Sequence, residues 1–160
     1  MTRAVDVTTE GVRIPLARSI VADIAREVLR AERVSDALVS ITFVSTNRIT
    51  ALNRGHLNHP RPTDVISFGF ARAHSKDPVI GDIYIAPAVA RANALTHAVP
   101  VREEIARLVV HGVLHVLGFD HPDGARRTRS TMWRRQEALL RRVLPQRAGT
   151  RRGPRRARAA

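Results

Sequence analysis

An eleven-residue run with three histidines constrains this chain more than any other feature. Residues 111–121 have the sequence HGVLHVLGFDH, which is the pattern H-x-x-x-H-x-x-G-x-x-H. His111 and His115 are four residues apart, so on a helix they project from one face, one turn apart. Gly118 suits the end of that helix, because glycine adopts a left-handed conformation at low cost. The chain can then return and bring His121 toward the other two. Three imidazoles with a fourth position open are typical of a catalytic zinc site.

The residue that follows the first histidine bears on the kind of reaction. Metzincin proteases share this histidine spacing, and they carry at that position a glutamate that serves as the general base. This chain has Gly112 there, which has no side chain to accept a proton. Helix packing is a second reason for glycine at such a position. The motif therefore favours metal chemistry other than proteolysis, and a zinc metalloprotease stays open as an alternative.

Composition limits the classes of protein that need to be considered. The chain has 160 residues, of which 44% are apolar, so it suits one domain with a core. It has no cysteine, which excludes disulfides and thiolate metal sites and leaves histidine and carboxylate as metal ligands. No apolar run approaches the ~20 residues of a membrane span, and the amino-terminal residues lack the apolar segment of a signal peptide. We therefore expect a cytoplasmic protein.

The charge is high and unevenly placed. The formal net charge of +13 predicts a polyanionic partner, most simply a nucleic acid. Most of the excess comes from eight arginines near the carboxyl terminus, where no acid occurs: Arg141, Arg142, Arg147, Arg151, Arg152, Arg155, Arg156 and Arg158. Residues 145–160 also lose helical periodicity and gain glycine and proline. We therefore predict a single domain over residues 1–144, followed by a disordered, arginine-rich tail over 145–160.

Hydrophobic periodicity predicts both helices and strands. The predicted helices cover 15–32, 87–97, 100–118 and 126–143, with a short helix capped by Ser45 or Thr46 that carries Ile49 and Leu52. The predicted strands cover 38–44, 63–68 and 79–86, with a polar stretch at 53–61 and an exposed loop at 71–78. The helix over 100–118 is apolar around much of its surface, so we expect it to be central. The fold class is α+β, a small sheet packed with helices, and the pattern leaves the strand order open.

Three segments together resemble the YbeY family of bacterial endoribonucleases. The family signature H-G-x-L-H-x-x-G-x-D-H matches residues 111–121 in full. The segment L-N…P-T-[DN]-V-[LI]-S-F matches at Leu52, Asn53 and 62–68, and the segment G-D-I matches at 81–83. The likeness extends over residues 10–143. It implies an endoribonuclease of rRNA maturation, including 16S rRNA 3′ end processing, and of ribosome quality control. The implied partners are RNA and the ribosome or small-subunit assembly factors.

The resemblance also implies the fold and the metal ligands. The implied fold is a mixed, mainly parallel sheet of about four strands, with the metal at the mouth of a cleft. Residues 63–70 and 79–86 are expected to line or support that cleft. The implied cofactor is one zinc ion per chain, with His111, His115 and His121 as its ligands and as catalytic residues through the metal.

Four further polar residues are candidates for the surroundings of the metal. Asp120 lies inside the motif and is expected to orient a ligand or to cap the turn, because metal-bound histidines normally donate their second N–H to such an acceptor. Asp64, Ser67 and Asp82 belong to the expected cleft segments. Each of these three is equally well explained as an ordinary residue of a short strand.

The chain departs from the family at one position. Many members carry Tyr-Arg shortly after the L-N dipeptide, and that arginine is thought to serve catalysis. This chain has His56 and Leu57 there, and the aspartate further along is replaced by Pro60. Other members carry leucine at this position, but leucine cannot bind phosphate, so the role of the arginine does not transfer. The remaining RNA-binding candidates are Arg54, Arg61 and Arg72, with His56 and His59 as weaker options. Taken singly, each of them is better explained as a solvated surface charge.

From these observations we expect a single-metal endoribonuclease that acts on single-stranded or loop RNA. Zinc would polarise a phosphoryl oxygen, while the arginines would hold phosphates. The nucleophile, a metal hydroxide or the 2′-OH of the RNA, stays open. Two alternatives remain: a zinc metalloprotease, and a non-catalytic ribosome-associated RNA-binding factor whose metal only stabilises the fold.

Overall fold

The computed structural model describes residues 1–57, 63–120 and 130–144, except for the side chains of His56 and Leu57. In chain order the elements are β1 (Arg3–Thr9), α1 (Arg18–Ala31), β2 (Ala37–Phe43), α2 (Thr46–Leu57), β3 (Val65–Gly69), β4 (Val79–Ile85), α3 (Pro87–Thr96), α4 (Val101–Val116) and α5 (Thr131–Val143). The predicted tail over 145–160 lies outside the described residues. Within them, no helix is both long and apolar enough to cross a membrane.

The four strands form one sheet in the order β1-β2-β4-β3. β1, β2 and β4 run parallel, and β3 pairs with β4 in the antiparallel direction. The expected mixed, mainly parallel sheet of about four strands is therefore confirmed. The larger apolar core lies on the face that α1 and α4 cover, and α5 packs against α4. A smaller apolar cluster joins α2 to the opposite face of the sheet.

β1 is the strand that the sequence pattern does not single out. It lies at the edge of the sheet, where only Val7 of its seven residues is buried. Its register places Val5 opposite Val39 and Val7 opposite Ile41 of β2. Such a half-covered edge strand carries a weak hydrophobic signal, and the alternation of Val5 with Val7 was the only cue that the sequence offered.

The predicted start of α1 is wrong by several residues. α1 begins at Arg18 rather than at residue 15, because Ala17 still has extended backbone angles. α5 begins at Thr131; residues 126–129, which the prediction also assigned to this helix, lie outside the described residues. Ser130 is extended and caps this helix, since its hydroxyl oxygen accepts a hydrogen bond from the backbone N–H of Trp133 at 3.1 Å.

The predicted polar stretch over 53–61 begins inside α2 instead of after it. Asn53 is buried, one helical turn after Ile49, so a polar residue continues the buried face of the helix. The helix ends at Leu57, and its start is capped by Ser45, whose Oγ accepts from the N–H of Arg48 at 3.1 Å. Between the two capping residues that the sequence allowed, the structure thus selects Ser45.

α4 lies unusually close to the β3–β4 hairpin, and glycines make this approach possible. A Cβ atom on Gly69 would lie 2.9 Å from the carbonyl oxygen of Val116, and one on Gly112 would lie 2.8 Å from Cγ2 of Ile83. Real Cβ atoms do not approach other atoms so closely. The helix that carries the histidines is therefore held against the sheet, and its prediction as the central, buried helix is confirmed.

Candidate metal centre and adjoining cavity

His111 and His115 lie on one face of α4, as their spacing predicts. The helix begins after Pro100, carries Glu103 and Glu104 in its first turn, and is followed by Gly118 with a φ of 96°. The two imidazole centroids are 4.5 Å apart, and the rings meet edge to face at 76°. His111 is 5% exposed, whereas His115 is partly exposed, so the pair lies where the buried helix meets the surface. His121 lies outside the described residues.

A buried glutamine from α5 sets the protonation of His111. The Nδ1 atom of His111 lies 2.6 Å from Oε1 of Gln136, which is 2% exposed. The amide NH₂ of Gln136 donates to Oε1 of Glu137 at 3.3 Å, which directs the amide oxygen toward the histidine. That oxygen can only accept, so Nδ1 of His111 carries the proton. The lone pair of the neutral ring is then on Nε2.

The chemistry of this donor set fits a zinc ion. Neutral imidazole nitrogens are good zinc ligands, and a second hydrogen bond from the ring to a fixed acceptor is the usual support for such a ligand. His111 has that support from Gln136. Among the described residues, no third histidine, aspartate or glutamate completes a three-residue metal group. The sequence candidate for the third ligand is His121.

Glu137, which accepts a hydrogen bond from Gln136, belongs to a network of charged side chains between α4 and α5. Arg107 donates to Oε1 of Glu137 at 3.0 Å and to Oε2 of Glu104 at 2.8 Å, and Glu103 lies 3.6 Å away. Burial alone would lower the pKa of Arg107. Hydrogen bonds and charge attraction from Glu137 and Glu104 outweigh this effect and raise the pKa. Arg107 thus stays charged and ties the two helices together beside the histidine.

A cavity of about 530 Å³ adjoins His111. It lies among α3, α4 and α5 and the residue that precedes β3. Its lining residues are Asp64, Asn93, His97, Val99, Glu104, Arg107, Leu108, His111, Trp133 and Gln136. The candidate metal ligand and its glutamine partner therefore both form part of the wall of one cavity.

Gly112 faces the sheet and not this cavity. A Cβ atom there would lie 2.8 Å from Ile83 Cγ2 and 3.2 Å from Ser67 Oγ. A longer side chain at this position would have to displace the side chains of Ile83 and Ser67. The absence of a protease-type glutamate beside the first histidine therefore has a packing cause. In this fold that position cannot present a base to a substrate.

The comparisons with known proteins agree with this architecture. The sequence profile described as Endoribonuclease YbeY matches residues 5–144. The chain belongs to the YbeY family. A YbeY relative from Desulfitobacterium hafniense (strain Y51) is 37% identical over 125 residues, covering 73% of this chain and 78% of that protein. Another, from Geobacillus kaustophilus (strain HTA426), is 36% identical over 124 residues, covering 71% and 78%.

One solved structure bears on the fold alone. The solution structure of TM1509 from Thermotoga maritima matches with a TM-score of 0.58 and 23% sequence identity. The match covers 88% of this chain and 89% of that one. This chain therefore shares its fold, a four-stranded sheet with packed helices, with an experimentally determined structure.

The three polar candidates on or next to the strands, Asp64, Ser67 and Asp82, have surroundings that differ from one another. Asp64 precedes β3, accepts a hydrogen bond from the amide of Asn93 at 3.0 Å, and lines the cavity beside His111. Ser67 is directed toward α4, and its buried hydroxyl oxygen has no hydrogen-bond partner among the described residues. Asp82 accepts from the hydroxyl of Ser40 at 2.6 Å on the neighbouring strand.

The alternation of side chains along β4 separates Asp82 from the histidines. Gly81 and Ile83 are on the face of the sheet that α4 covers, so Asp82 lies on the opposite face. Asp120 follows α4 beyond Gly118 and is exposed. Of the four polar candidates, the structure thus brings Asp64 to the His111 cavity and Ser67 to the helix that carries the histidine, while Asp82 points away.

The RNA-binding candidates are only partly described. Arg54 is exposed on α2, and His56 and Leu57 are the last two residues of that helix. Arg72 donates to backbone oxygens of its own loop at 3.3 and 3.4 Å and borders a different cavity, near residues 32–36. The structure therefore does not bring Arg72 to the cavity beside His111. His59, Pro60 and Arg61 lie outside the described residues.

Sequence reasoning missed the contribution of α5 to this site. Gln136 interrupts a buried apolar stripe formed by Met132, Leu139 and Leu140. A polar residue at such a position needs a buried partner, so this interruption was a usable signal. Nothing local in the sequence, however, identifies His111 as that partner, since the two residues are 25 positions apart.

Proposed function

We propose that this chain is a zinc-dependent endoribonuclease that cleaves phosphodiester bonds of single-stranded ribosomal RNA. Membership of the YbeY family supports the RNA-cleaving activity, because the relatives from Desulfitobacterium and Geobacillus are both named endoribonucleases. The observation that carries the metal is the buried His111–Gln136 hydrogen bond next to His115. The proposed role is rRNA maturation, including the 3′ end of 16S rRNA, in the cytoplasm and in contact with the ribosome or small-subunit assembly factors.

The proposed zinc ligands are His111, His115 and His121. Bound zinc would act as a Lewis acid toward a phosphoryl oxygen and would make a nearby water more acidic. Gln136 holds the ring of His111 in one orientation and keeps the proton on Nδ1. His115 is the more exposed of the two described histidines, so the RNA phosphate is expected to approach from its side.

RNA cleavage by the full chain is the direct test. A labelled single-stranded rRNA fragment, the same fragment as a duplex, and casein are each incubated with the protein, with and without a zinc chelator. We expect cleavage of the single strand only, its loss with chelator, and its return when zinc is added. Cleavage that persists fully in chelator would contradict the metal dependence, and digestion of casein would favour a protease.

A matched pair of histidine variants distinguishes cleavage by this protein from cleavage by a contaminating nuclease. His115→Ala should abolish cleavage, because it removes a proposed ligand. His74→Ala should leave cleavage unchanged, since His74 is exposed in the loop between β3 and β4. Both variants are purified in parallel and their metal content is measured. Equal activity in the two would overturn the proposed function.

A further inference from the structure

We propose that the cavity beside His111 binds one nucleobase of the RNA, preferentially a base that carries an exocyclic amino group. The proposal rests on the proposed function, because it takes RNA as the ligand. The cavity volume of about 530 Å³ lies within the range of small-molecule sites in proteins. Since His111 lines this cavity, a base held there would lie next to the candidate metal centre.

The charges of the lining argue against a phosphate in this cavity. Among the described residues that line it, Arg107 is the one arginine, and three carboxylates already pair with that guanidinium, at 2.8, 3.0 and 3.6 Å. Asp64 adds a further carboxylate to the lining. A phosphate would therefore meet more negative than positive charge, whereas the uncharged parts of a nucleotide would meet no such penalty. The part of an RNA that fits these charges is the base.

An aromatic side chain supplies the surface that a base requires. Trp133, on the first turn of α5, is partly exposed and lines the cavity together with Val99 and Leu108. Stacking on an aromatic ring is the usual way in which proteins hold an unpaired base, and it is available only when the base is not in a duplex. A single-strand preference would follow directly from such a pocket.

The polar side of the cavity indicates which bases it prefers. The carboxylate of Asp64 accepts from the amide of Asn93 at 3.0 Å, so the amide holds the carboxylate in place at the cavity wall. A carboxylate accepts hydrogen bonds from an exocyclic amino group, as in contacts between acidic side chains and cytosine. Adenine, cytosine and guanine carry such a group, and uracil does not. Asp64 is therefore the proposed specificity-determining residue.

Tryptophan fluorescence tests this proposal without any cleavage. The chain has one tryptophan, so its emission reports on Trp133 alone. The full-length protein, with its metal removed by chelator, is titrated with cytidine and with uridine, which lack phosphate. The indole is excited at the red edge of its band, where nucleosides absorb weakly, and the emission is corrected for that absorption. We expect saturable quenching by cytidine at millimolar concentration and binding of uridine that is weaker by about tenfold, the ratio expected for one charge-assisted hydrogen bond.

Three variants that retain Trp133 identify the residues responsible. Asp64→Asn removes the charge but keeps a hydrogen-bonding group of the same shape, so it should reduce the preference for cytidine. Asn93→Ala releases the carboxylate and should weaken cytidine binding. Leu95 lies on the same helix as Asn93 but is 86% exposed and outside the cavity. Leu95→Ala should therefore bind cytidine as tightly as the unmodified chain does. Thermal unfolding of each variant confirms that it is folded.

The outcomes separate this proposal from the proposed function. A protein that cleaves RNA but shows no saturable quenching by either nucleoside would overturn the base pocket alone. A protein that binds cytidine as expected but never cleaves RNA would overturn the nuclease. Quenching by an arginine-rich peptide in place of nucleosides would show that the cavity binds a cationic protein segment, which also overturns the proposal. Equal effects of Asn93→Ala and Leu95→Ala would do the same.

Discussion

His111 donates from Nδ1 to the side-chain oxygen of Gln136 across a distance of 2.6 Å, and this bond joins α4 to α5 at the candidate metal centre. Both side chains are almost fully buried, so neither has water as an alternative partner. The bond fixes the tautomer of the histidine before any metal arrives. α5, which carries no metal-ligand motif, thereby becomes part of the candidate metal site.

The first prediction concerns zinc affinity. Gln136→Leu removes the acceptor while it keeps nearly the same volume, and we expect zinc affinity to fall about 10–100-fold. Gln136→Glu keeps an acceptor for Nδ1 and should bind zinc at least as tightly as the unmodified chain. Affinity is measured by competition with a chromophoric chelator, and the absorption spectrum of bound Co²⁺ reports the ligand geometry.

A buried neighbour provides the control for this experiment. Met132→Leu changes the apolar packing of α5 one turn before Gln136. It should lower stability modestly and leave zinc affinity unchanged. If Gln136→Leu and Met132→Leu bound zinc equally well, the hydrogen bond would have only a structural role.

The second prediction concerns the approach of α4 to the sheet. Gly112→Ala places a Cβ atom 2.8 Å from Ile83 Cγ2, and the Ile83 side chain must shift to accept it. We expect a loss of about 1–3 kcal/mol in the free energy of unfolding, as for other overpacked cores. The free energy is measured by urea unfolding in the presence of chelator, so that metal binding does not contribute.

Gly55 offers a matched substitution on an open surface. It lies inside α2, and a Cβ atom added there meets no atom of the described residues within 4 Å. Gly55→Ala should therefore stabilise the chain by roughly 0.5–1 kcal/mol through helix propensity. A Gly112→Ala protein that was stabilised to the same extent would show that α4 is not held as closely as the distances indicate.

The parts of the fold that the sequence predicted are those that local patterns determine. α4 follows from its apolar periodicity, from the spacing of His111 and His115, and from the glycine at residue 118. β1 was missed because an edge strand buries little, and the end of α2 was misplaced because Asn53 is polar but buried. Contacts between distant segments, such as His111 with Gln136, depend on how the helices pack, which no local pattern encodes.

The third prediction concerns the charges between α4 and α5. Arg107→Met leaves the buried carboxylate of Glu104 without its ion pair, and we expect a loss of about 3 kcal/mol at neutral pH. Urea unfolding at neutral pH measures this loss. Arg26→Met, which breaks an exposed pair with Asp23, should cost less than about 1 kcal/mol. Equal losses in the two variants would refute the role of the network.

The fourth prediction concerns the arginine-rich tail. Residues 147–160 contain six arginines and no acid. Removing them should flatten the salt dependence of RNA binding, by up to about 4 in the logarithmic slope if all six contact phosphates of a single strand. The positions of cleavage should not change, because the tail is expected to add affinity without specificity. Binding is measured over a series of salt concentrations; an unaltered slope, or new cleavage positions, would count against the prediction.

The last prediction concerns Leu57, the final residue of α2. The resemblance to the YbeY family led us to expect an arginine at this position. Leucine supplies no charge to a phosphate in the transition state. If the metal provides most of that stabilisation, removing the leucine side chain should matter little. We expect Leu57→Ala to retain RNA cleavage within about tenfold of the unmodified chain, which corresponds to ~1.4 kcal/mol of activation free energy. His115→Ala should lose nearly all activity.

Single-turnover cleavage of one labelled RNA by the unmodified chain and both variants gives the comparison. A Leu57→Ala protein that is folded and zinc-loaded, yet as inactive as His115→Ala, would show that the end of α2 contributes directly to the chemistry. Leu57→Arg extends the test, because it supplies the charge that the resemblance to the YbeY family leads us to expect there. An increase in the cleavage rate constant with unchanged RNA affinity would place the arginine at the transition state, since an interaction made only there raises the rate without tightening substrate binding. Tighter binding with an unchanged rate constant would instead indicate a uniform phosphate contact.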